Sequence, residues 1–206
     1  MYDLREPVAA VHNGRRPSPT RILPQGDFVC TAGRLWDEGK NVATLDAAAA
    51  RLDVPVQAAG PLQGPNGARA CLENVHTLGE LSSERLQALF TARPVFASAA
   101  LYEPFGLTAL EAAHAGCALV LSDIPTHREL WDGAAIFIAA RDSPAFASAI
   151  NGIMSNPEQR EELGRKARRR VQVYTPERMA GGMTEIYARV HARRGGSEPI
   201  RMAGAA

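Results

Sequence analysis

The sequence has few of the residues that mark a disulfide-stabilised or metal-binding protein. Its three cysteines, Cys30, Cys71 and Cys117, are an odd number without metal-ligand spacing, and its five histidines show no such spacing either. Two of the thiols lie in apolar runs, where cysteine behaves as a small hydrophobe. We therefore expect reduced thiols, no bound metal ion and a cytoplasmic location.

Long apolar runs and an excess of one charge are also missing. No uninterrupted run of about 18 apolar residues occurs, and the first residues contain acids and prolines, so we expect neither a membrane span nor a signal peptide. The net charge is only +1, from 23 Lys and Arg against 22 Asp and Glu, which argues against a nucleic-acid partner. The basic cluster from Arg165 to Arg170 could meet anionic lipid. An apolar stripe on the same helix favours an ordinary solvated face instead.

Short apolar segments alternate with helical patterns along most of the chain. The segments FVCTAG, PVQAAG, PVFAS and ALVL are apolar throughout, which is typical of strands buried on both faces of a parallel sheet. Between the first two, Val42, Leu45 and Ala49 recur at helical spacing. We therefore predict an α/β fold: a doubly wound, Rossmann-like parallel sheet with helices on both faces.

Several helix starts carry recognisable capping signals. Ser82 is expected to begin a helix, and Thr126 with Glu129 matches a capping box before Leu130. Three further pairs combine a capping residue with proline at the first helical position: Ser143–Pro144, Asn156–Pro157 and Thr175–Pro176.

The distribution of prolines and of apolar periodicity along the chain indicates three parts. Residues 1–26 carry four prolines and little periodicity, which indicates a linker. Residues 27–174 hold the alternating strands and helices of the predicted Rossmann-like domain. Residues 175–206 are interpreted as a C-terminal helix followed by a flexible tail.

Charged residues and glycines follow two of the predicted strands. Gly33, Arg34 and Lys40 come after the first strand, and Glu103 comes after PVFAS. In a doubly wound sheet ligands bind in the loops at the carboxyl ends of strands. Gly106 stands at the start of the next helix, where free backbone N–H groups favour an anion. Two cations and a helix start in one cleft suit a diphosphate.

These motifs together resemble a known family. The run from Glu103 to Glu111 in LYEPFGLTALEAAHAG resembles the E-x7-E motif of family 4 retaining glycosyltransferases of the GT-B fold, and GRLWDEGK resembles their diphosphate-binding loop. The segments NVHTLGELSSERL, EAAHAGCALVLSDIPTHRELWDGAA and YTPERMAGGMTEIYARV are similar in order and spacing to the donor-binding half of those enzymes. The resemblance covers roughly residues 13–190, and several motifs in order are more specific than one.

The resemblance implies roles for three residues in the transfer reaction. Arg34 and Lys40 would neutralise the diphosphate of a nucleotide sugar and stabilise it as a leaving group. Glu103 would contact the transferred sugar. Members of this family are described as metal-independent enzymes in which the leaving phosphate helps to deprotonate the acceptor. No cofactor is implied, and the donor would be a UDP-, GDP- or ADP-sugar.

The resemblance also implies a donor-binding set around the same strand ends. Gly33 would shape the first loop, and Phe105, Gly106 and Leu107 would offer backbone N–H groups to phosphate. Glu111 would hold the ribose, because a carboxylate suits a pair of neighbouring hydroxyls. Asp37, between the two cations, is expected to point to solvent.

The sequence leaves two functional alternatives open. A GT-B enzyme has two Rossmann-like domains, and this chain matches the second, so we expect it to bind a donor but to transfer little without an N-terminal half. It could be a piece of a longer enzyme, a shortened gene product or one half of a split enzyme. The alternative is a non-catalytic binding or assembly module, such as a homodimer. A nicotinamide-dependent oxidoreductase is disfavoured because the G-x-G-x-x-G fingerprint is absent.

Overall fold

The protein is an α/β domain with one mostly buried sheet. A computed structural model describes residues 9–17 and 24–193, and the following helices and strands lie within those two ranges. The strands are β1 (Val29–Ala32), β2 (Val56–Ala59), β3 (His76–Gly79), β4 (Val95–Ser98), β5 (Ala118–Ser122) and β6 (Ile136–Ile138). The helices are α1 (Val42–Ala49), α2 (Ser83–Thr91), α3 (Leu107–Ala115), α4 (Pro125–Trp131), α5 (Ser143–Met154), α6 (Pro157–Arg170) and α7 (Pro176–Arg193), with short 3-10 helices at Glu38–Lys40 and Val171–Val173.

The six strands form one parallel sheet in the order β3-β2-β1-β4-β5-β6. This order confirms the predicted doubly wound topology. The strand order reverses between β1 and β4, and a crevice opens beyond the carboxyl ends of strands at such a point. The loops that follow β1 and β4 are the two that carry the predicted site.

The strands are apolar throughout because alternate side chains enter two different cores. In β1 and β4, Val29 and Val95 pack in one cluster while Cys30 and Phe96 pack in the other. The first cluster includes residues of α1 and α5, and the second includes residues of α2, α3 and α6. Helices therefore cover both faces of the sheet, which explains why polar residues do not alternate along its central strands.

Three of the five predicted capping sites are confirmed, and two are wrong. The side chains of Ser82, Asn156 and Thr175 each accept a hydrogen bond from a backbone N–H in the first turn, as predicted. At α5 the cap is Asp142 instead of Ser143, because its carboxylate accepts the hydrogen bond from the N–H of Ala145.

The predicted capping box at Thr126 and Glu129 is also wrong. Helix α4 begins at Pro125, and no side chain caps its N-terminus. The Thr126 hydroxyl donates instead to the carbonyl oxygen of Glu103 at 2.7 Å. The Glu129 carboxylate lies 2.8 Å from Nε2 of His12.

Two parts of the predicted linker are described, residues 9–17 and 24–26, and the first of them packs along the C-terminal helical segment. The N–H of Arg15 donates to the carbonyl of Tyr174 at 3.1 Å. A Cβ on Gly182 would lie 3.3 Å from the side chain of Val11, so α7 approaches this segment closely. The remaining linker residues, 1–8 and 18–23, and the tail beyond 193 lie outside the described residues, and the three-part division remains a prediction.

Within residues 9–17 and 24–193, no helix is both long and apolar enough to cross a membrane. The same residues contain no group of three or more His, Cys, Asp or Glu side chains that could hold a metal ion. Cys30 and Cys117 are buried and Cys71 is exposed, all three as free thiols. Burial raises the pKa of Cys30 and of Cys117.

Candidate functional site

The loops after β1 and β4 line one pocket at the point where the strand order reverses. Its lining includes five of the predicted site residues: Gly33, Arg34, Lys40, Glu103 and Gly106. The two cations and the start of α3 are therefore close together, as the sequence analysis required. Residues from β1, β4 and α4 complete the wall, among them Thr31, Phe96 and His127.

Glycine is required where the loop after β1 meets the loop after β2. The N–H of Gly33 donates to the carbonyl of Ala59 at 3.0 Å, which extends the pairing of the two strands. Gly60 has a φ of 139°, and a Cβ there would lie 1.8 Å from the carbonyl oxygen of Gly33. The two backbones touch, so a side chain at this position would displace the pocket wall.

Asn41 fixes the end of the loop that carries the cations. It adopts a left-handed conformation with φ 50°, which asparagine tolerates better than most residues. Its Nδ2 donates to the carbonyls of Ala99 and Ala140 at 2.9 and 2.7 Å, and its Oδ1 accepts from the Thr44 hydroxyl. One side chain thus connects the loops after β1, β4 and β6, and it holds Lys40 at the pocket.

Lys40 and Glu103 form an ion pair inside the pocket. The ammonium Nζ lies 2.5 Å from Oε2 of Glu103, and both side chains are mostly buried. The other carboxylate oxygen accepts a hydrogen bond from the N–H of Gly106 at 3.0 Å. In this structure the amide of Gly106, predicted to face a phosphate, therefore contacts Glu103.

Arg34 is more exposed than Lys40. Its side chain is 61% exposed, and its Nη2 lies 2.7 Å from Oδ2 of Asp37. Asp37 also accepts a hydrogen bond from the N–H of Gly39 at 2.9 Å and so caps the 3-10 helix. The expectation that Asp37 points to solvent is wrong, because this carboxylate both shapes the loop and orients the guanidinium.

The start of α3 has the open geometry of an anion site. Gly106 precedes the first helical residue with φ 82°, a conformation that favours glycine, and no side chain caps the helix. The ring of Phe105 packs edge-on against Tyr174, 5.7 Å between centroids. Leu107 is 43% exposed. Phe105 is therefore anchored in the core two residues before Leu107, the first helical residue of α3.

Glu111 lies farther along α3 and does not line this pocket. Its Oε1 lies 2.7 Å from Nε of Arg15, which reaches it from the segment of residues 9–17. Burial raises the pKa of Glu111, and Arg15 opposes this shift. No local pattern in the sequence signals the contact, because the two residues are separated by most of the domain.

The segment from the end of β5 into α4 supplies three further residues that hold or line the pocket and that the sequence alone does not indicate. The hydroxyls of Ser122 and Thr126 donate to the carbonyls of Ala100 and Glu103, so both ends of the β4–α3 loop are held. His127 is 1% exposed and lines the pocket. In the sequence, His127 is marked only by its place after an apolar strand. Arg34 and Glu103 are identified by the same kind of position.

Solved structures share this fold with the chain. The chain superimposes on sucrose-phosphate synthase from Thermosynechococcus elongatus with a TM-score of 0.71 and 24% identity, over 83% of this chain and 47% of that one. It matches a point mutant of S. aureus TarM, solved in complex with Fondaparinux, alpha-GlcNAc-glycerol and UDP, with a TM-score of 0.77 and 18% identity, over 90% and 40% of the two chains. These neighbours have the GT-B fold and confirm the predicted fold class.

Sequence relatives carry glycosyltransferase names. D-rhamnosyltransferase WbpZ from Pseudomonas aeruginosa is 33% identical over 57% of this chain and 33% of its own length. MMP alpha-(1->4)-mannosyltransferase from Mycolicibacterium hassiacum is 31% identical over 75% and 41%. The chain thus spans less than half the length of these curated relatives. The family model described as "Glycosyl transferases group 1" matches residues 21–170, and this chain belongs to that family.

Proposed function

We propose that this chain is the nucleotide-sugar-binding half of a family 4, retaining, metal-independent glycosyltransferase. The observation that carries the proposal is the pocket at the strand-order reversal, where Arg34, Lys40 and Glu103 meet the uncapped start of α3. Cations and free N–H groups at one point suit a diphosphate, and a carboxylate beside them suits a sugar.

Each of the proposed site residues binds a different part of the donor. Arg34 and Lys40 bind the diphosphate and act where negative charge develops as the sugar leaves. Glu103 contacts the transferred sugar, and Glu111 holds the ribose. Because Lys40 is paired with Glu103 in this structure, donor binding moves its ammonium from the carboxylate to the phosphates.

The donor is a UDP-, GDP- or ADP-sugar. Two structural neighbours were solved with uridine compounds: TarM with UDP, and Anabaena Alr3699/HepE with UDP-glucose. The latter superimposes with a TM-score of 0.66 over 80% of this chain. Uridine nucleotides are therefore the first to test with this chain. An N-terminal GT-B half supplies the acceptor site, so the chain alone binds donor and transfers little.

Calorimetry with UDP, GDP and ADP and with the corresponding glucose derivatives tests this function. We expect one nucleotide series to bind, and Arg34→Ala with Lys40→Ala to abolish measurable binding. Lys166→Ala is the matched control, because this exposed lysine on α6 does not line the pocket. Absence of binding to all six compounds, or equal affinity in the double variant, would refute the proposal.

A non-catalytic assembly module is the second candidate. Its support is a set of exposed apolar side chains, among them Tyr187 and Val190 on α7, which a partner or a second copy would cover. Light scattering during gel filtration separates the two candidates. A monomer that binds nucleotide sugar contradicts the assembly role, and a stable dimer without nucleotide affinity contradicts the transferase role.

A further inference from the structure

The buried side chain of His127 has an unexplained polar atom. The residue is 1% exposed, lies in the first turns of α4 and lines the pocket together with Lys40 and Glu103. Its Nε2 is shielded from solvent and has no hydrogen-bond partner among residues 9–17 and 24–193. An unpaired buried polar atom is unfavourable, so a partner that arrives with a ligand would remove a penalty present in the free protein.

The surroundings of the imidazole determine which nitrogen carries the proton. Nδ1 lies 2.9 Å from the backbone carbonyl oxygen of Ser122 and 3.1 Å from its hydroxyl oxygen. That hydroxyl donates its own hydrogen to the carbonyl of Ala100 at 2.5 Å. Both neighbours of Nδ1 are therefore acceptors, and Nδ1 must be the donor.

Nε2 is consequently a hydrogen-bond acceptor. Burial, with a smaller effect from Lys40, lowers the pKa of His127 although the Ser122 carbonyl and Glu103 act in the opposite direction, which favours the neutral imidazole. A neutral imidazole protonated at Nδ1 has a lone pair at Nε2. The missing partner must therefore be a donor, such as a hydroxyl group.

The parts of a nucleotide sugar differ in what they can offer to this atom. A diphosphate presents acceptor oxygens only, so it cannot pair with a lone pair. The ribose is assigned to Glu111, which does not line this pocket. We propose that Nε2 of His127 accepts a hydrogen bond from a hydroxyl of the transferred sugar and is a specificity-determining residue. This inference rests on the proposed function.

The ion pair beside His127 couples this contact to diphosphate binding. Lys40 and Glu103 contact each other in the same pocket, and the charges of both act on the imidazole. When a diphosphate takes the ammonium of Lys40, the ion pair opens and the pocket gains room for the sugar beside His127. The sugar hydroxyl then gives Nε2 the hydrogen bond that it lacks in the free protein.

Two substitutions of His127 test the roles of Nδ1, which contacts Ser122, and of Nε2, which faces the ligand, independently of each other. His127→Asn places an amide near the position of Nδ1, keeps a donor for Ser122 and removes the ligand-facing acceptor. His127→Gln places an amide oxygen near the position of Nε2 and restores an acceptor. His114→Gln is the matched control, because His114 is also a buried histidine with an unpaired Nε2 within the described ranges but does not line the pocket.

The measured quantity is the gain in affinity that the sugar provides. It is the Kd of UDP divided by the Kd of UDP-glucose, with the GDP or ADP pair used if that nucleotide is the one that binds. We expect His127→Asn to reduce this ratio roughly 2- to 10-fold, the range for one neutral hydrogen bond. UDP itself should bind equally well, His127→Gln should recover part of the ratio, and His114→Gln should leave it unchanged.

Deoxy analogues of the glucose moiety identify the hydroxyl. One analogue should bind the natural protein and His127→Asn with the same affinity, since the contact is already missing from the ligand. An unchanged ratio in His127→Asn, or an equal loss for UDP and UDP-glucose, would overturn the inference while the proposed function stands. Failure of all nucleotides to bind would instead overturn the proposed function, and this inference with it.

Discussion

Replacing Asn41 with aspartate tests whether one amide holds the cation loop in place. The substitution keeps the size of the side chain and its tolerance of a positive φ, and Oδ1 can still accept from Thr44. It replaces the Nδ2 donor with an oxygen that faces the carbonyls of Ala99 and Ala140. Two hydrogen bonds are lost, and a carboxylate is placed against two other acceptors.

The expected loss follows from these contacts. Leaving a partly buried acceptor unpaired costs about 1–3 kcal/mol, so two carbonyls give a loss of roughly 2–5 kcal/mol in the free energy of unfolding at neutral pH. Asn41→Gly is the matched variant, because it keeps the backbone conformation and removes both carbonyl contacts, together with the bond from Thr44, without adding a charge. Its loss should be smaller, roughly 1–3 kcal/mol, because the space left by the side chain lets water hydrate both carbonyls.

Urea unfolding followed by circular dichroism measures both variants. Acidification should reduce the loss in Asn41→Asp, because a protonated carboxyl can donate to one carbonyl, and should not reduce it in Asn41→Gly. An aspartate variant as stable as the natural protein, or more stable than the glycine variant, would refute the role assigned to the amide.

Three further predictions concern other contacts. Nucleotide affinity should fall on acidification as Glu111 becomes protonated. Arg15→Ala should move this fall to higher pH, because burial raises the pKa of Glu111 and Arg15 opposes that shift. Calorimetry across pH measures the fall, and Glu111→Gln should remove the pH dependence. Arg160→Met should lower the free energy of unfolding by roughly 2–4 kcal/mol, because a 3% exposed guanidinium holds a carboxylate and two backbone carbonyls; equal stability in urea would contradict this. Gly60→Ala should weaken nucleotide binding, because its Cβ would collide with the Gly33 carbonyl; unchanged affinity would show that the two loops separate freely.

The sequence predicted those features that depend on local pattern. Arg34, Lys40 and Glu103 were identified because each follows an apolar strand, and parallel strands bring their carboxyl ends to one edge. Asn156 and Thr175 were identified as caps because their hydrogen bonds lie within one helical turn. These inferences required only spacing and the geometry of a buried parallel sheet.

Features that depend on distant contacts could not be predicted in the same way. Thr126 matched a capping box, but its hydroxyl bonds to the carbonyl of Glu103, which lies 23 residues away in the chain. The contact between Arg15 and Glu111 and the unpaired Nε2 of His127 likewise arise only when separate loops of the described chain meet. Local propensity cannot show which of several polar groups a side chain will find after folding.

The unequal burial of the three thiols allows one of them to be labelled selectively, so that displacement of the loop between Arg34 and Lys40 can be followed. A maleimide dye reacts with thiolates, so it should modify Cys71 and spare the buried pair. Cys71 and Trp36 line the same surface depression, and the backbone of Trp36 belongs to the loop between the two cations. Fluorescence quenching between the dye and the indole would report displacement of that loop in real time, in the unmutated chain.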